Sequence, residues 1–95
     1  MIPIVEEVYI GKKDISKYIS SCFYALKKYD KVKLISRGSH VKKSLDILAI
    51  LIRDYLEEPE YNVIVKSEEF EGRHITALEI DLTGKRKEEE MDGKD

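Results

Sequence analysis

Tryptophan is absent from this 95-residue sequence, cysteine occurs once, and histidine occurs twice. The single Cys22 cannot form an intrachain disulfide, and no CxxC zinc motif exists without a second cysteine. Its position on the apolar face of a predicted helix is typical of a core residue rather than a nucleophile. His40 and His74 do not form a pair at metal-ligand spacing. We therefore expect neither a cofactor nor a metal, and we predict that the protein is not an enzyme.

Long apolar runs are also missing from the sequence. None approaches the roughly 20 residues that a membrane-spanning helix requires, and the first ten residues lack the basic and apolar segments of a secretory signal. The sequence has two short basic segments, GKKDIS and RGSH. Neither is a GxxxxGK(S/T) phosphate loop or a GxGxxG fingerprint, which argues against a mononucleotide site. These absences predict a cytoplasmic protein with no membrane and no small-molecule substrate among its partners.

Charge is abundant and unevenly distributed along the chain. Charged residues make up 38% of the sequence, and the dominance of Lys and Glu is typical of thermophile proteins. Residues 1–56 contain 11 basic and 6 acidic side chains, whereas residues 57–95 contain 6 basic and 13 acidic ones. The two halves carry +5 and −7 within a total of −2. The first half can thus present a cationic face, while the acidic half lowers the expectation of tight nucleic-acid binding.

Apolar periodicity predicts two strand–helix pairs followed by a hairpin. The predicted elements are a strand at residues 8–10, a helix from 14 to 29, a strand at 31–36, a helix from about 40 to 57, and strands at 61–66 and 75–82. The alternating order favours a parallel first pair of strands. The segment SEEFEGR, with a turn at Gly72, favours a hairpin between the last two. Dense charge without periodicity predicts one domain at 1–84 and a disordered tail at 85–95.

The second predicted helix contains the run ILAILI, Ile47 to Ile52, which is apolar around nearly its whole circumference. A helix that lies on a sheet needs only an apolar stripe. One interpretation is a deeply buried helix. The other, which we favour because so small a domain has little interior, is that the surplus apolar surface contacts a second subunit.

Both predicted helices are preceded by basic turns. The first turn contains Lys12 and Lys13, and the second contains Arg37, Lys42 and Lys43. Turns after parallel strands meet at one sheet edge, where open α/β sheets bind ligands. Lysines at a helix start are disfavoured by up to about 1 kcal/mol, and an anion there reverses this effect. Nucleic-acid phosphates are the polyanion that fits, and a merely solvated basic surface is the alternative.

The two segments VYIGKKDISKYISSCFYAL and LISRGSHVKKSLDILAIL resemble the archaeal Alba family. In the family pattern a strand ends in Ile-Gly-Lys-Lys before a helix with a Tyr in its first turns. A second strand ends in Arg-Gly before a helix that opens with an apolar-x-Lys-(apolar or small)-apolar-Asp run. The matching residues are Ile10, Gly11, Lys12, Lys13, Tyr18, Arg37, Gly38, Val41, Lys43, Leu45 and Asp46. The likeness extends over residues 5–83.

The resemblance implies an α+β fold, a two-layer βαβαββ sandwich with a mixed four-stranded sheet and two helices. It also implies a homodimer that binds DNA or RNA with little sequence preference, as Alba chromatin proteins and their relatives in ribonuclease P complexes do. The implied contacts, with Lys42 added from its place at a helix start, are Lys12, Lys13, Arg37, Gly38, Lys42, Lys43 and, on the hairpin arm, Arg73. In the family the lysine pair is a site of acetylation.

Some positions depart from the family pattern. Ser39 stands where a second arginine often follows Arg-Gly, and the predicted hairpin is short for the family. Its tip carries Glu68, Glu69 and Glu71, which repel phosphates. Each lost phosphate contact lowers the salt slope of duplex binding by about 0.9. We therefore expect a divergent, acidic Alba-like protein with weakened binding to duplex DNA.

Two functions stay open at this point. The first is sequence-tolerant binding of DNA, RNA or both by a dimer, in chromatin or RNA architecture, with association to the nucleoid as one cytoplasmic location. The second is a protein-interaction subunit that forms a heterodimer with a basic Alba paralogue or joins a ribonucleoprotein complex. DNA and RNA are not distinguished, because phosphate contacts look alike from the protein side.

Overall fold

Two helices pack on one face of a four-stranded sheet in the computed structural model, which describes residues 5–87. The elements are β1 (Glu6–Tyr9), α1 (Ile15–Tyr29), β2 (Lys31–Arg37), α2 (Val41–Ile50), β3 (Leu56–Phe70) and β4 (Arg73–Arg86). A 3₁₀ turn, Gly38–His40, precedes α2, and a π-helical turn, Leu51–Tyr55, follows it. The predicted α+β class, with two helices and a mixed four-stranded sheet, is confirmed.

The sheet order β1-β2-β4-β3 places the two strand–helix pairs side by side. Strands β1 and β2 are parallel, with Val8 opposite Leu34, and the other two pairings are antiparallel. Because β1 and β2 are parallel, their carboxyl ends lie at the same sheet edge. The turns that follow them, residues 10–14 and 37–40, therefore emerge together, and we call this place the turn edge.

The core lies between the helices and alternate residues of the three strands beneath them. Its members include Val8, Val32, Leu34, Ile80, Leu82, Cys22, Leu26, Ile47 and Leu51. Each buried aliphatic side chain contributes about 1.5–3 kcal/mol. Cys22 is fully buried, and burial raises the pKa of its thiol to about 12. This agrees with the interpretation of Cys22 as a core residue.

The apolar run of the second helix is largely absorbed within the chain. Ile47, Leu48 and Leu51 are buried, while Ile50 and Ile52 are half-buried. The helix is also shorter than predicted, because it gives way to the π-helical turn after Ile50. The surplus apolar surface is therefore smaller than the sequence suggested.

The hairpin differs most from the sequence-based bounds. Strands β3 and β4 continue to Phe70 and Arg73, so most of SEEFEGR is paired strand and the turn has only two residues, Glu71 and Gly72. Both have positive φ, 51° and 78°, which is typical of a type I′ turn. At the other end Pro59 lies in an irregularity of the pairing between Glu57 and Glu60, where an edge strand tolerates proline.

The end of β4 overlaps the predicted tail. Strand β4 continues to Arg86, beyond the predicted boundary at residue 84, while residues 88–95 of that tail lie outside the described residues. No helix within residues 5–87 is long and apolar enough to cross a membrane.

Candidate nucleic-acid interface

The first basic turn is folded around the hydroxyl group of Tyr18. The backbone N–H groups of Gly11 and Lys13 donate to this oxygen at 2.8 and 3.1 Å. Tyr18 is buried in α1, so the acceptor is fixed by the core. The side chains of Lys12 and Lys13 are exposed and form no ion pair within residues 5–87. The turn thus presents two uncompensated cations on a backbone that is held in place.

Lys43 connects the second helix to this turn. Its ammonium group donates to the carbonyl oxygens of Gly11 and Lys13, both at 2.8 Å, and lies 5.7 Å from the centre of the Tyr18 ring. Two of its three donors are occupied by the protein itself. The structure therefore brings Lys43 to the turn edge as a support of the lysine pair.

Arg37 lies at the end of β2 and is neutralised by the hairpin. Its Nε donates to Oε1 of Glu68 at 2.7 Å. The pairing follows from the sheet order, since Arg37 is opposite Ala77 on β4 and Ala77 is opposite Lys66 on β3, two residues from Glu68. The hydrogen bond lowers the pKa of the Glu68 carboxyl group. Arg37 thus meets a carboxylate where a phosphate was predicted.

Gly38 begins the 3₁₀ turn directly after Arg37. Its φ of 58° lies in the left-handed region, which glycine adopts without a steric cost. This explains the Arg-Gly pair as the point where the chain leaves the sheet. Lys42 lies nearby on the exposed side of α2, where its ammonium group pairs with Asp46 at 3.0 Å. Such an exposed i,i+4 pair is weak, about 0.3–0.5 kcal/mol, so a phosphate can compete for Lys42.

The hairpin tip projects beyond the turn edge. Strand β2 ends where Arg37 pairs with Ala77, and the hairpin continues for four further pairs, to Phe70 opposite Arg73. This arm extends about 13 Å past the sheet. Arg73 is exposed and forms no ion pair in the described part of the chain. The arm also carries Glu68, Glu69 and Glu71, so its net charge is negative.

The open face of the sheet, opposite the helices, is internally neutralised. Lys33 and Lys66 lie 2.9 and 3.1 Å from the carboxylate oxygens of Glu79, between them. Both contacts lower the pKa of Glu79, and its hydrogen bond raises the pKa of Lys33. Cations paired in this way offer little to a phosphate backbone, which leaves the turn edge as the cationic surface of the nominated residues.

Sequence reasoning identified the lysine pair but missed three relationships. The tyrosine of the motif had no assigned role, and the structure makes its hydroxyl group the acceptor for the turn. Lys43 and Lys13 are 30 residues apart, and no sequence pattern predicts the hydrogen bond from the Lys43 ammonium group to the Lys13 carbonyl oxygen. The pairing of Arg37 with Glu68 depends on β4 inserting between their strands. Residues 5–87 contain no cluster of His, Cys, Asp and Glu that could hold a metal ion.

Two parallel strand–helix units, a shared cationic edge and a projecting hairpin define a class of small α+β proteins. The sequence profile of the Alba family matches residues 6–68, and the chain belongs to this family. Family membership implies nucleic-acid binding in general, and Alba proteins are generally non-enzymatic binding proteins that form oligomers.

Solved structures show the same fold. The chain is similar to Alba from Thermoplasma volcanium, with a TM-score of 0.61, 21% identity, and coverage of 82% of this chain and 99% of that chain. It is also similar to ALBA1 from Trypanosoma brucei, with a TM-score of 0.72, 12% identity, and coverage of 83% and 68% respectively. At these identities the similarity concerns the fold alone. No curated protein matches the chain in sequence.

Proposed function

We propose that this protein is a non-enzymatic, sequence-tolerant binder of DNA, RNA or both that acts as a dimer through the turn edge. The observation that carries this proposal is the state of the lysine pair. Lys12 and Lys13 are exposed, without ion-pair partners in residues 5–87, on a turn whose amides and carbonyls are held by Tyr18 and Lys43. A backbone that is already ordered loses little conformational entropy when it binds a phosphate.

The proposed surface makes few phosphate contacts per subunit. Lys12 and Lys13 are its principal members, Arg37 is engaged by Glu68, and Lys43 is engaged by the turn. Two or three contacts per subunit give a salt slope near −2 to −3 on duplex DNA, at about 0.9 per phosphate. The binding is accordingly modest, and its affinity falls less with salt than that of a protein with more phosphate contacts.

The dimer is supported by an uncovered apolar surface between α2 and β3. Tyr61, Val63 and Val65 alternate along the helix side of β3 and are exposed, because the helices lie over the other three strands. Leu45 is also exposed and lies about 160° around α2 from Lys43, at 100° per residue. Since Lys43 reaches toward α1, Leu45 faces the β3 side. A second copy of the chain buries these side chains.

A basic Alba paralogue is the alternative occupant of the same surface. The negative arm, with Glu68, Glu69 and Glu71, favours it, because a basic partner would relieve the repulsion that the arm imposes on phosphates. In that case the protein is an interaction subunit of a heterodimer or a ribonucleoprotein complex with weak nucleic-acid binding of its own. Native mass spectrometry of a mixture with such a paralogue distinguishes the two assemblies.

The proposed function is tested by titrating duplex DNA and structured RNA at several salt concentrations. Lys12→Glu is compared with Lys85→Glu, which reverses an exposed charge at the opposite end of the sheet. We expect Lys12→Glu to weaken salt-dependent binding and Lys12→Glu/Lys13→Glu to abolish it. Lys85→Glu should leave the binding intact. Equal effects of the two reversals would contradict the assignment of the turn edge. The preferred polymer then assigns the protein to chromatin at the nucleoid or to RNA in the cytoplasm.

A further inference from the structure

The exposed face of α1 carries charge of one sign only. The helix contains no acidic residue between its caps, Asp14 and Asp30, and its outward side presents Lys17, Lys27 and Lys28. None of these lysines has a carboxylate partner within residues 5–87. The cations on the sheet face are instead paired with Glu79 or Glu68. Within residues 5–87 the three lysines on α1 are therefore uncompensated, in contrast to the cations on the sheet face.

Helix stability explains only part of this arrangement. Lys27 and Lys28 lie in the last turn of α1, where the helix macrodipole favours positive charge. Lys17 lies in the first turn, where the macrodipole disfavours it. An external anion along the helix accounts for all three lysines.

Tyr24 lies at the centre of this basic face. At 100° per residue it is about 20° from Lys17 and 40° from Lys28 around the helix axis. Its side chain is 64% exposed, and together with Lys27 and Lys28 it lines a surface depression. An exposed aromatic ring between lysines is the combination with which single strands are bound, because bases stack on the ring while the lysines contact the phosphates.

We propose that the outer face of α1 is a binding site for single-stranded nucleic acid, with one base stacked on Tyr24. This inference rests on the nucleic-acid binding proposed above. The strand runs from the turn edge, at Lys12 and Lys13, along α1 to Lys28. The helix rises about 16 Å from Lys17 to Lys28, which is about five nucleotides at a stacked spacing of 3.4 Å. In a duplex the bases are stacked within the helix and Tyr24 cannot reach them, so this face discriminates single strands from duplexes.

The affinity test uses fluorescently labelled oligouridine, oligothymidine and a duplex of the same length. We expect Tyr24→Leu to weaken binding of both single strands about fivefold or more, the lower end of a base–aromatic stack, and to leave duplex binding unchanged. Tyr24→Phe keeps the ring and should retain single-strand binding. The contrast between oligouridine and oligothymidine shows whether RNA or DNA is preferred.

A spectroscopic test uses the absence of tryptophan from the chain. Tyr24→Trp introduces a single indole at the proposed site, and Tyr9→Trp introduces one on the opposite face of the sheet, at a similar exposure of 59%. Stacking of a base should quench the fluorescence at position 24 with oligouridine but not with duplex, and should leave position 9 unaffected.

The outcomes separate this inference from the proposed function. If the unmodified protein binds the duplex through Lys12 and Lys13 while Tyr24→Leu leaves single-strand affinity unchanged, the α1 site is rejected and the proposed function stands. If Lys27→Gln/Lys28→Gln weakens binding but neither Tyr24 test responds, the face is a charge surface that also suits an acidic protein segment, which overturns the stacking site. Binding to neither polymer at low salt rejects both proposals.

Discussion

The Nζ atom of Lys43 lies 2.8 Å from the carbonyl oxygens of both Gly11 and Lys13. This contact joins the start of α2 to the turn before α1, two places that are 30 residues apart in sequence. Together with the two amides that donate to Tyr18, it fixes the backbone from which the lysine pair projects. The first turn of the turn edge is therefore anchored to the core through Tyr18 and is not a loose basic loop.

Replacement of Lys43 with methionine should destabilise the fold. The variant keeps the aliphatic stem but leaves two carbonyl oxygens without their charged donor, and hydrogen bonds to charged groups contribute about 1.5–3 kcal/mol each. We expect the free energy of unfolding in urea to fall by about that amount in total, because the site is partly exposed. The control is Lys42→Met, whose exposed pair with Asp46 contributes about 0.5 kcal/mol or less. Equal losses in the two variants would contradict the supporting role of Lys43.

The Tyr18 hydroxyl group offers a test of the turn with little change in packing. Tyr18→Phe removes the acceptor of the Gly11 and Lys13 amides, and an unsatisfied group of this kind costs about 1–3 kcal/mol. We expect the hydrogen exchange of these two amides to accelerate and binding at the turn edge to weaken. Tyr9→Phe, which removes an exposed hydroxyl group bonded to Glu7 on the open face of the sheet, is the matched control. Unchanged exchange at Gly11 would show that the hydroxyl group does not hold the turn.

The sequence-based predictions succeeded where periodicity or local motifs carry the signal. The burial of Cys22 and the exposure of Lys12 follow from helical spacing and from a Gly-Lys-Lys turn after a strand. The ends of the hairpin were not predictable in this way, because Ser67, Glu68 and Glu69 are polar on both faces and Phe70 is exposed, so the segment shows no apolar alternation. The support that Lys43 gives to the first turn was missed for another reason, because a contact between segments distant in the chain cannot be read from a single sequence.

Acid should weaken the open face of the sheet through Glu79. Hydrogen bonds from Lys33 and Lys66 lower the pKa of its carboxyl group in the folded protein. The stabilisation is therefore fully present above the ordinary carboxyl pKa of the unfolded chain and is lost as the pH falls through the lowered pKa of the folded state. We expect Glu79→Gln to flatten the acid limb of stability, measured by thermal unfolding across pH, and Glu69→Gln, as an exposed control, to leave it unchanged. An unaltered acid limb in Glu79→Gln would exclude this pair of contacts as its source.

Glu68 should restrain the affinity of the turn edge for nucleic acid. Its carboxylate accepts from Arg37 at 2.7 Å and occupies the guanidinium that the family pattern offers to a phosphate. Glu68→Gln removes the competing charge, and we expect tighter duplex binding with a salt slope larger by about 0.9 per subunit, the value of one additional phosphate. Glu69→Gln is the control, because it removes the same formal charge one residue away but does not break the ion pair of Arg37. A difference between the two variants therefore reports the release of Arg37 and not the general loss of negative charge. If the two variants raise the affinity equally and have the same salt slope, Arg37 does not contact phosphate. The arm then acts only through long-range repulsion. Because Arg37 lowers the pKa of Glu68, the unmodified protein should gain the same contact only when the pH falls below the ordinary range of a glutamate.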